Sequence, residues 1–375
     1  MPRTGIDGLA EELSRARAAM RARSPADARA LELLVDVLAG RAGRALAAAW
    51  DERRFQGPCE RAGLLLAALR AEARAAGPGH PLWPGLGAET PRPAALDAAA
   101  LEAVLARPDD RLVDALARRS AREEDPARAI AWRWPAALAG AGGGGRPVAL
   151  AELGSVAGLG LVADDLAAPW TFPDGGPVPV AAGVRAVGRL GLDPAPLDAA
   201  RDEDAAWLRA CVPAGDRAAM ARLDAAIAAL RAARPRPDAP VLTPVALASA
   251  PERLALLSAT APGALVIAWQ ALLRPRLGRE ERAELHAGMR AWLATHRPGS
   301  ALWVELERAP GAHALGPGRA ALLTAHARAP DGGLRSVRLA RCALEPSVVV
   351  PEPGAADALA ALLAAPAAGT AAAAP

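Results

Sequence analysis

The residues best suited to chemistry are the acid and glycines of Glu152-Leu-Gly-Ser-Val-Ala-Gly158. They follow the apolar run Pro147 to Ala151 and precede a second apolar stretch. A buried parallel strand hands over in this way to a turn that cradles a nucleoside-type cofactor. Gly154 lets the backbone approach a ligand, Ser155 offers a hydroxyl beside it, and Gly158 allows close helix–strand packing. Asp193 ends a second apolar run, Val184 to Leu192, where a carboxylate can accept both hydroxyls of a ribose. It lies 35 residues beyond Gly158, against roughly 20 in dinucleotide-binding domains. The excess, Trp170 to Val180, reads as a hairpin insertion. Asp193-Pro194 also suits a turn start, and the glycine-rich turn also suits a chain rich in glycine throughout.

Three further residues are candidates for the wall of a substrate pocket. Trp269 and Gln270 end an apolar run and offer a flat platform and a hydrogen-bonding amide; Trp269 reads equally well as packing. Glu305 and Glu307 share one strand face by period two. Glu307, at the strand end, is a candidate base or ligand contact, with a solvated strand end as the plainer reading. No catalytic residue is assigned. Other chemistries lack their motifs. Ser155 follows Gly154 directly, so there is no G-x-S-x-G elbow. The 5 histidines, His80, His286, His296, His313 and His326, form no H-x-x-x-H pair, and no metal site is expected. All 44 basic residues are arginine, which removes the lysine that a P-loop requires.

The elements that must position these residues change character along the chain. The first third is helical. Ser24-Pro25 with Asp27 is a helix start, and Leu31, Leu34, Val35 and Leu38 form one apolar face behind it. Further helices are expected over 59–76, 94–106, 109–122 and 127–139. The glycine run 142–145 marks the boundary between a helical cap region, 1–141, and a Rossmann-like domain, 142–346; an Ala/Pro-rich tail, 347–375, is expected to be partly disordered. Within 142–346, strands are expected at 147–153, 184–192, 240–247, 264–269, 301–307, 319–328 and 334–344. Helices at 157–166, 202–211, 216–233, 251–259 and 279–295 fall between the earlier ones. The alternation implies an α/β fold with a mostly parallel sheet covered on both faces. The last two strands, joined by Ala329-Pro-Asp-Gly-Gly333, form an antiparallel hairpin. This gives the seven-strand count of a class I S-adenosylmethionine-dependent methyltransferase. A dinucleotide-binding oxidoreductase would more often continue with another parallel strand.

Composition narrows the partners. Against 44 basic residues stand 41 acidic ones, a net charge of +3 without one-sided stripes, so a dedicated nucleic-acid binder is not expected. With 52% hydrophobic residues the 375-residue chain can build a large core. The 3 cysteines are scattered and odd in number, which fits a reducing cytoplasm and no disulfide framework. Leu254 to Leu273 carries no charge, yet Pro262-Gly263 interrupts it, so a helix end, a turn and a buried strand are expected there and no membrane span. Oligomeric state is not encoded in any of these signals.

Three blocks resemble the bacterial domain-of-unknown-function family 2332. They are Ala151 to Gly158, then Gly191-Leu-Asp-Pro-Ala-Pro-Leu-Asp198, then Asp202-Glu-Asp-Ala-Ala-Trp-Leu-Arg-Ala-Cys-Val212. Leu64 to Leu69 with His80-Pro-Leu82 resembles that family's helical part, and Trp303 to Glu307 its fifth-strand segment. The likeness covers roughly residues 25–345 and implies a methyltransferase-like fold, with Glu152 against the amino-acid part of S-adenosylmethionine and Asp193 at its ribose. The chain departs from the family pattern where chemistry would occur. Leu242-Thr-Pro-Val-Ala-Leu247 replaces a Gly-Asp-Ala-like acid, Val266 to Gln270 replaces a strand ending in His-Ser, and Glu124-Asp125 stands near an Asn-Glu element. The expected function is therefore an S-adenosylmethionine-binding, methyltransferase-like protein acting on a small molecule or another acceptor, in which catalysis would be mostly proximity and orientation. The alternatives are a catalytically degenerate relative that works as a binding module, and an NAD-dependent oxidoreductase.

Overall fold

A computed structural model describes residues 3–363, apart from 5, 51–52, 56, 58, 142, 144 and 310–320. His313, two glycines of the 142–145 run and the last part of the tail lie outside the described residues. The first elements are β1 (Arg3–Thr4), α1 (Leu9–Met20), α2 (Pro25–Val37), α3 (Arg41–Ala49), β2 (Arg54–Phe55), α4 (Glu60–Ala76), α5 (Ala98–Ala106) and α6 (Asp110–Arg118). Then follow α7 (Ile130–Leu138), β3 (Val148–Leu153), β4 (Ala186–Asp193), α8 (Asp202–Cys211), α9 (Arg217–Ala233), β5 (Val241–Pro244), α10 (Ala250–Thr260), β6 (Leu265–Ala271), α11 (Arg279–Ala294), β7 (Ala301–Arg308), β8 (Ala321–Arg328), β9 (Leu334–Cys342), β10 (Val349–Pro351) and α12 (Ala355–Leu363). They form two compact units: Met1–Glu124 with Asp198–Asp224, and Asp125–Leu197 with Ala225–Pro375.

The first unit is helical, and its helix starts also tie it together. Ser24 caps α2 by accepting from the Asp27 N–H at 3.2 Å, and its hydroxyl donates to the Ala214 carbonyl at 2.7 Å. Asp27 is fully buried; its carboxylate accepts from Arg70 at 2.8 Å and from the Ala214 N–H at 3.0 Å. The acid of this helix start thus also anchors the 198–224 segment. Glu12 does the same for α4, accepting from the N–H groups of Arg61 and Ala62 and from the Arg61 guanidinium.

The second unit is built on one sheet in the order β10-β9-β8-β7-β6-β3-β4-β5. β5, β4, β3, β6 and β7 are mutually parallel, while β8, β9 and β10 follow as antiparallel neighbours. The sheet is therefore mixed and mostly parallel as expected, but it has 8 strands. The eighth, β10, pairs Val349–Pro351 with Ala340–Cys342; its signal is three residues at the start of an Ala/Pro-rich stretch. A second departure follows β3. The helix expected over 157–166 is a 3-10 segment, Leu159–Asp165. Gly158 and Gly160 in its first turn disfavour a regular α-helix.

Every residue of β3 is buried, so both faces of the sheet are covered. Val148 and Leu150 join Trp132, Trp134, Leu265, Ile267 and Trp269 in one core. Ala149, Ala151 and Leu153 join Leu254, Leu285, Met289, Trp292 and Trp303 in the other, beneath α10 and α11. The uncharged stretch 254–273 is the end of α10, a turn and buried β6. Among the described residues no helix is long and apolar enough to cross a membrane.

Candidate functional site

The strand order reverses at β3, between β4 and β6, which is where open α/β sheets bind ligands beyond their strand ends. Glu152, Gly154, Ser155, Gly158 and Asp193 all lie there. Glu152 pairs with Gly191, two residues before Asp193, so both carboxylates leave the same face of the sheet. Gly154 and Gly158 adopt left-handed φ values of 72° and 71°, and Val156 between them adopts 50°.

The turn's own hydrogen bonds are closed within the chain. The N–H groups of Gly154 and Ser155 donate to the Leu192 carbonyl, and that of Gly158 donates to the Ser155 carbonyl. Asp193 is fully buried. One carboxylate oxygen accepts from the Val156 N–H at 3.1 Å and the other from the Ala195 N–H at 2.8 Å. Asp193 therefore holds the strained Val156 in place, a conformation that costs roughly 1–3 kcal/mol for a residue with a β-carbon.

Side chains of the protein fill the space in front of the glycines. A β-carbon on Gly154 would sit 2.8 Å from Leu273 Cδ1, and one on Gly158 2.8 Å from Leu242 Cδ2. One on Gly160 would meet the Trp269 ring at 2.5 Å and Glu152 Oε1 at 3.0 Å. Trp269 is thus packed on the turn, in the same core as Trp132, whose indole N–H donates to the Gly160 carbonyl at 2.9 Å. Arg189 clamps the following segment through Asp164 and the Leu161 carbonyl. Two polar atoms are sealed in without hydrogen-bond partners among the described residues: Ser155 Oγ and Trp269 Nε1.

Gln270 and Glu307 belong to the other face of the sheet, because adjacent strand residues point oppositely. Gln270 Nε2 donates to Glu307 Oε1 at 2.9 Å and to Glu305 Oε1 at 3.2 Å. Glu305 is gripped by Arg274 and accepts from His326 Nε2 at 3.0 Å; His326 Nδ1 meets Ser336 Oγ at 2.7 Å. His326 also stacks on Trp303, with ring centroids 4.6 Å apart. The Ser336–His326–Glu305 chain has the order of a hydrolase triad, but Ser336 and His326 are direct partners in the β8–β9 ladder. Strand N–H groups engaged in a ladder leave no oxyanion hole.

Glu307 joins the two faces. Besides Gln270, its Oε1 accepts from the N–H groups of Leu273 at 2.9 Å and Arg274 at 3.1 Å. It thereby fixes the loop after β6, in which Leu272 has φ 52°, and so holds the Leu273 side chain over Gly154. Burial pushes the Glu307 carboxyl above the usual carboxylate range; bonds from Gln270 and the loop N–H groups oppose this, and nearby Glu305 reinforces it.

Of the residues singled out in the sequence, Glu152, Gly154, Ser155, Gly158, Asp193 and Trp269 come together at one strand-end cluster, while Gln270 and Glu307 form a second cluster on the opposite face. Leu242 and Leu273, which fill the first, carry no pattern that marks them beforehand. Leu273 reaches Gly154 only through the left-handed turn at Leu272. For S-adenosylmethionine the fit is poor. The turn's ligand-facing glycines are covered, the N–H groups are engaged and both oxygens of Asp193 serve the backbone. Among the described residues no group of three or more His, Cys, Asp or Glu is placed to hold a metal ion.

A family model described as an uncharacterised protein conserved in bacteria, DUF2332, matches residues 11–350. No curated protein and no solved structure matches the chain.

Proposed function

The chain belongs to the DUF2332 family, and on that premise we propose that it is a catalytically degenerate relative of methyltransferase-type sheet proteins, acting as a binding module. The observation that carries this reading is the closed glycine turn. Leu273 occupies the space over Gly154, and Asp193 bonds to Val156 and Ala195. A cofactor could reach the turn only after displacing a side chain that Glu307 holds from behind. The antiparallel β8, in the place of a sixth parallel strand, counts against the dinucleotide alternative.

The S-adenosylmethionine-binding reading keeps one observation in its favour. Ser155 Oγ and Trp269 Nε1 are buried polar groups without partners, at an expected cost of about 1–3 kcal/mol each. Such atoms fit a site whose polar groups persist behind an apolar plug. Isothermal calorimetry with S-adenosylhomocysteine separates the two. The degenerate reading expects no saturable heat from the wild-type chain. Saturable binding that disappears in Gly154→Trp would establish the cofactor site instead.

A further inference from the structure

We propose that Ser336 is an acyl-accepting nucleophile, with His326 as its base, toward activated carboxylic esters such as aryl esters and thioesters. The inference goes beyond the reading of the glycine turn and does not depend on it, since no residue of that turn takes part. Trp303, His326 and Ser336 form one cross-strand row over β7, β8 and β9, with their side chains on one face of the sheet. The hydroxyl at the end of the row belongs to an exposed residue and is open to solvent.

The groups behind that hydroxyl set its chemistry. Glu305 is buried and takes two bonds from the Arg274 guanidinium, so it presents His326 with an acceptor. His326 Nε2 lies 3.0 Å from Glu305 Oε2 and therefore carries the ring proton. Nδ1 keeps its lone pair and accepts from the Ser336 hydroxyl at 2.7 Å. The Trp303 ring, with its centroid 4.6 Å away, steadies the plane of the imidazole. A hydroxyl bonded to a base that a third group orients is the arrangement that activates a nucleophile.

The ladder supplies no backbone oxyanion hole, and this narrows the acyl donor. Amides and alkyl esters need a hole and a protonated leaving group; an aryloxide or thiolate leaves without either. Arg338 stands on the same face two residues along β9, about 7 Å on. It is exposed and forms no ion pair or hydrogen bond among the described residues, which leaves its guanidinium for the charge on the carbonyl oxygen. In the reaction Ser336 Oγ bonds to the carbonyl carbon as its proton passes to Nδ1. The tetrahedral adduct collapses, the bond to the aryloxide or thiolate breaks, and that group departs with the electron pair. The imidazolium then returns its extra proton to solvent. Acyl-Ser336 is an alkyl ester with a poor leaving group, so it forms faster than it is hydrolysed.

Stopped-flow release of p-nitrophenolate from p-nitrophenyl acetate by the full chain tests this. A burst of about one equivalent is expected before slow turnover, and peptide mass spectrometry should place the acetyl group on Ser336. The chain has neither lysine nor tyrosine, so few other side chains can retain an acetyl group. Ser336→Ala should lose both the burst and the adduct. His326→Gln should slow acetylation by about 100-fold or more, and Arg338→Leu by about tenfold or more. Nitrogen NMR of the His326 ring, assigned by its loss in His326→Gln, should show the proton on Nε2 and none on Nδ1. Glu305→Leu should abolish that preference. Circular dichroism checks that each variant folds. No burst, an adduct confined to other residues, a burst retained in Ser336→Ala, or the opposite tautomer in the wild type would each overturn the proposal.

Discussion

Asp193 and Glu72 are both buried carboxylates at the ends of regular elements, and they have opposite fates. Asp193 accepts two backbone N–H groups, and side chains fill the hollow beside it. Glu72 lines a cleft, and burial, with the Asp109 carboxyl hydrogen-bonded beside it, holds its carboxyl above the usual carboxylate range. The first is satisfied by the backbone and the second by another carboxyl. Position alone, at the switch point of a sheet, does not make a ligand site; the polar atom must also be unsatisfied and reachable. By that criterion the sheet's most suggestive motif is structural.

The largest effect expected from this contrast is on stability at Asp193. Asp193→Ala should cost about 3 kcal/mol in urea unfolding, because it leaves the buried Val156 N–H without an acceptor and removes the bond from the Ala195 N–H at the surface. A cost under about 1 kcal/mol would break the comparison. Gly154→Ala comes next, at about 2 kcal/mol, from φ 72° and the approach of Leu273. Adding Leu273→Ala should return part of that loss in a double-mutant cycle, and strict additivity would show that the two do not touch.

Glu307→Gln is a finer probe, read by thermal unfolding from acid to mildly alkaline pH. In the fold this carboxyl is held above its unfolded value. Its contribution is therefore full at low pH and is lost as pH rises through the folded value. The variant should gain on the wild type as pH increases; a constant difference would deny that burial governs the group. The smallest change is expected at Glu72→Gln, within about 1 kcal/mol of wild type near neutral pH, because the amide can donate to the Asp109 carboxylate as the protonated carboxyl does.

The sheet was legible in the sequence because apolar runs punctuated by Gly, Pro and Asp mark strand ends well: β3, β4, β6 and β7 lie close to their expected limits. β10 was hidden by its brevity, and the 3-10 turn after β3 by the glycines that also suggested a cofactor loop. The clustering of Glu152, Gly154 and Asp193 followed from strand order. What fills the space between them did not, since Leu242 and Leu273 arrive from β5 and from the loop after β6, and ordinary leucines announce nothing. The cleft around Glu72 was equally silent, because its carboxyls lie on separate helices and meet only in the folded chain.

Thermal unfolding of the full chain titrated with S-adenosylhomocysteine tests the closed turn most directly. The midpoint should stay fixed as the nucleoside is added. A rise that Gly154→Trp removes would contradict the account.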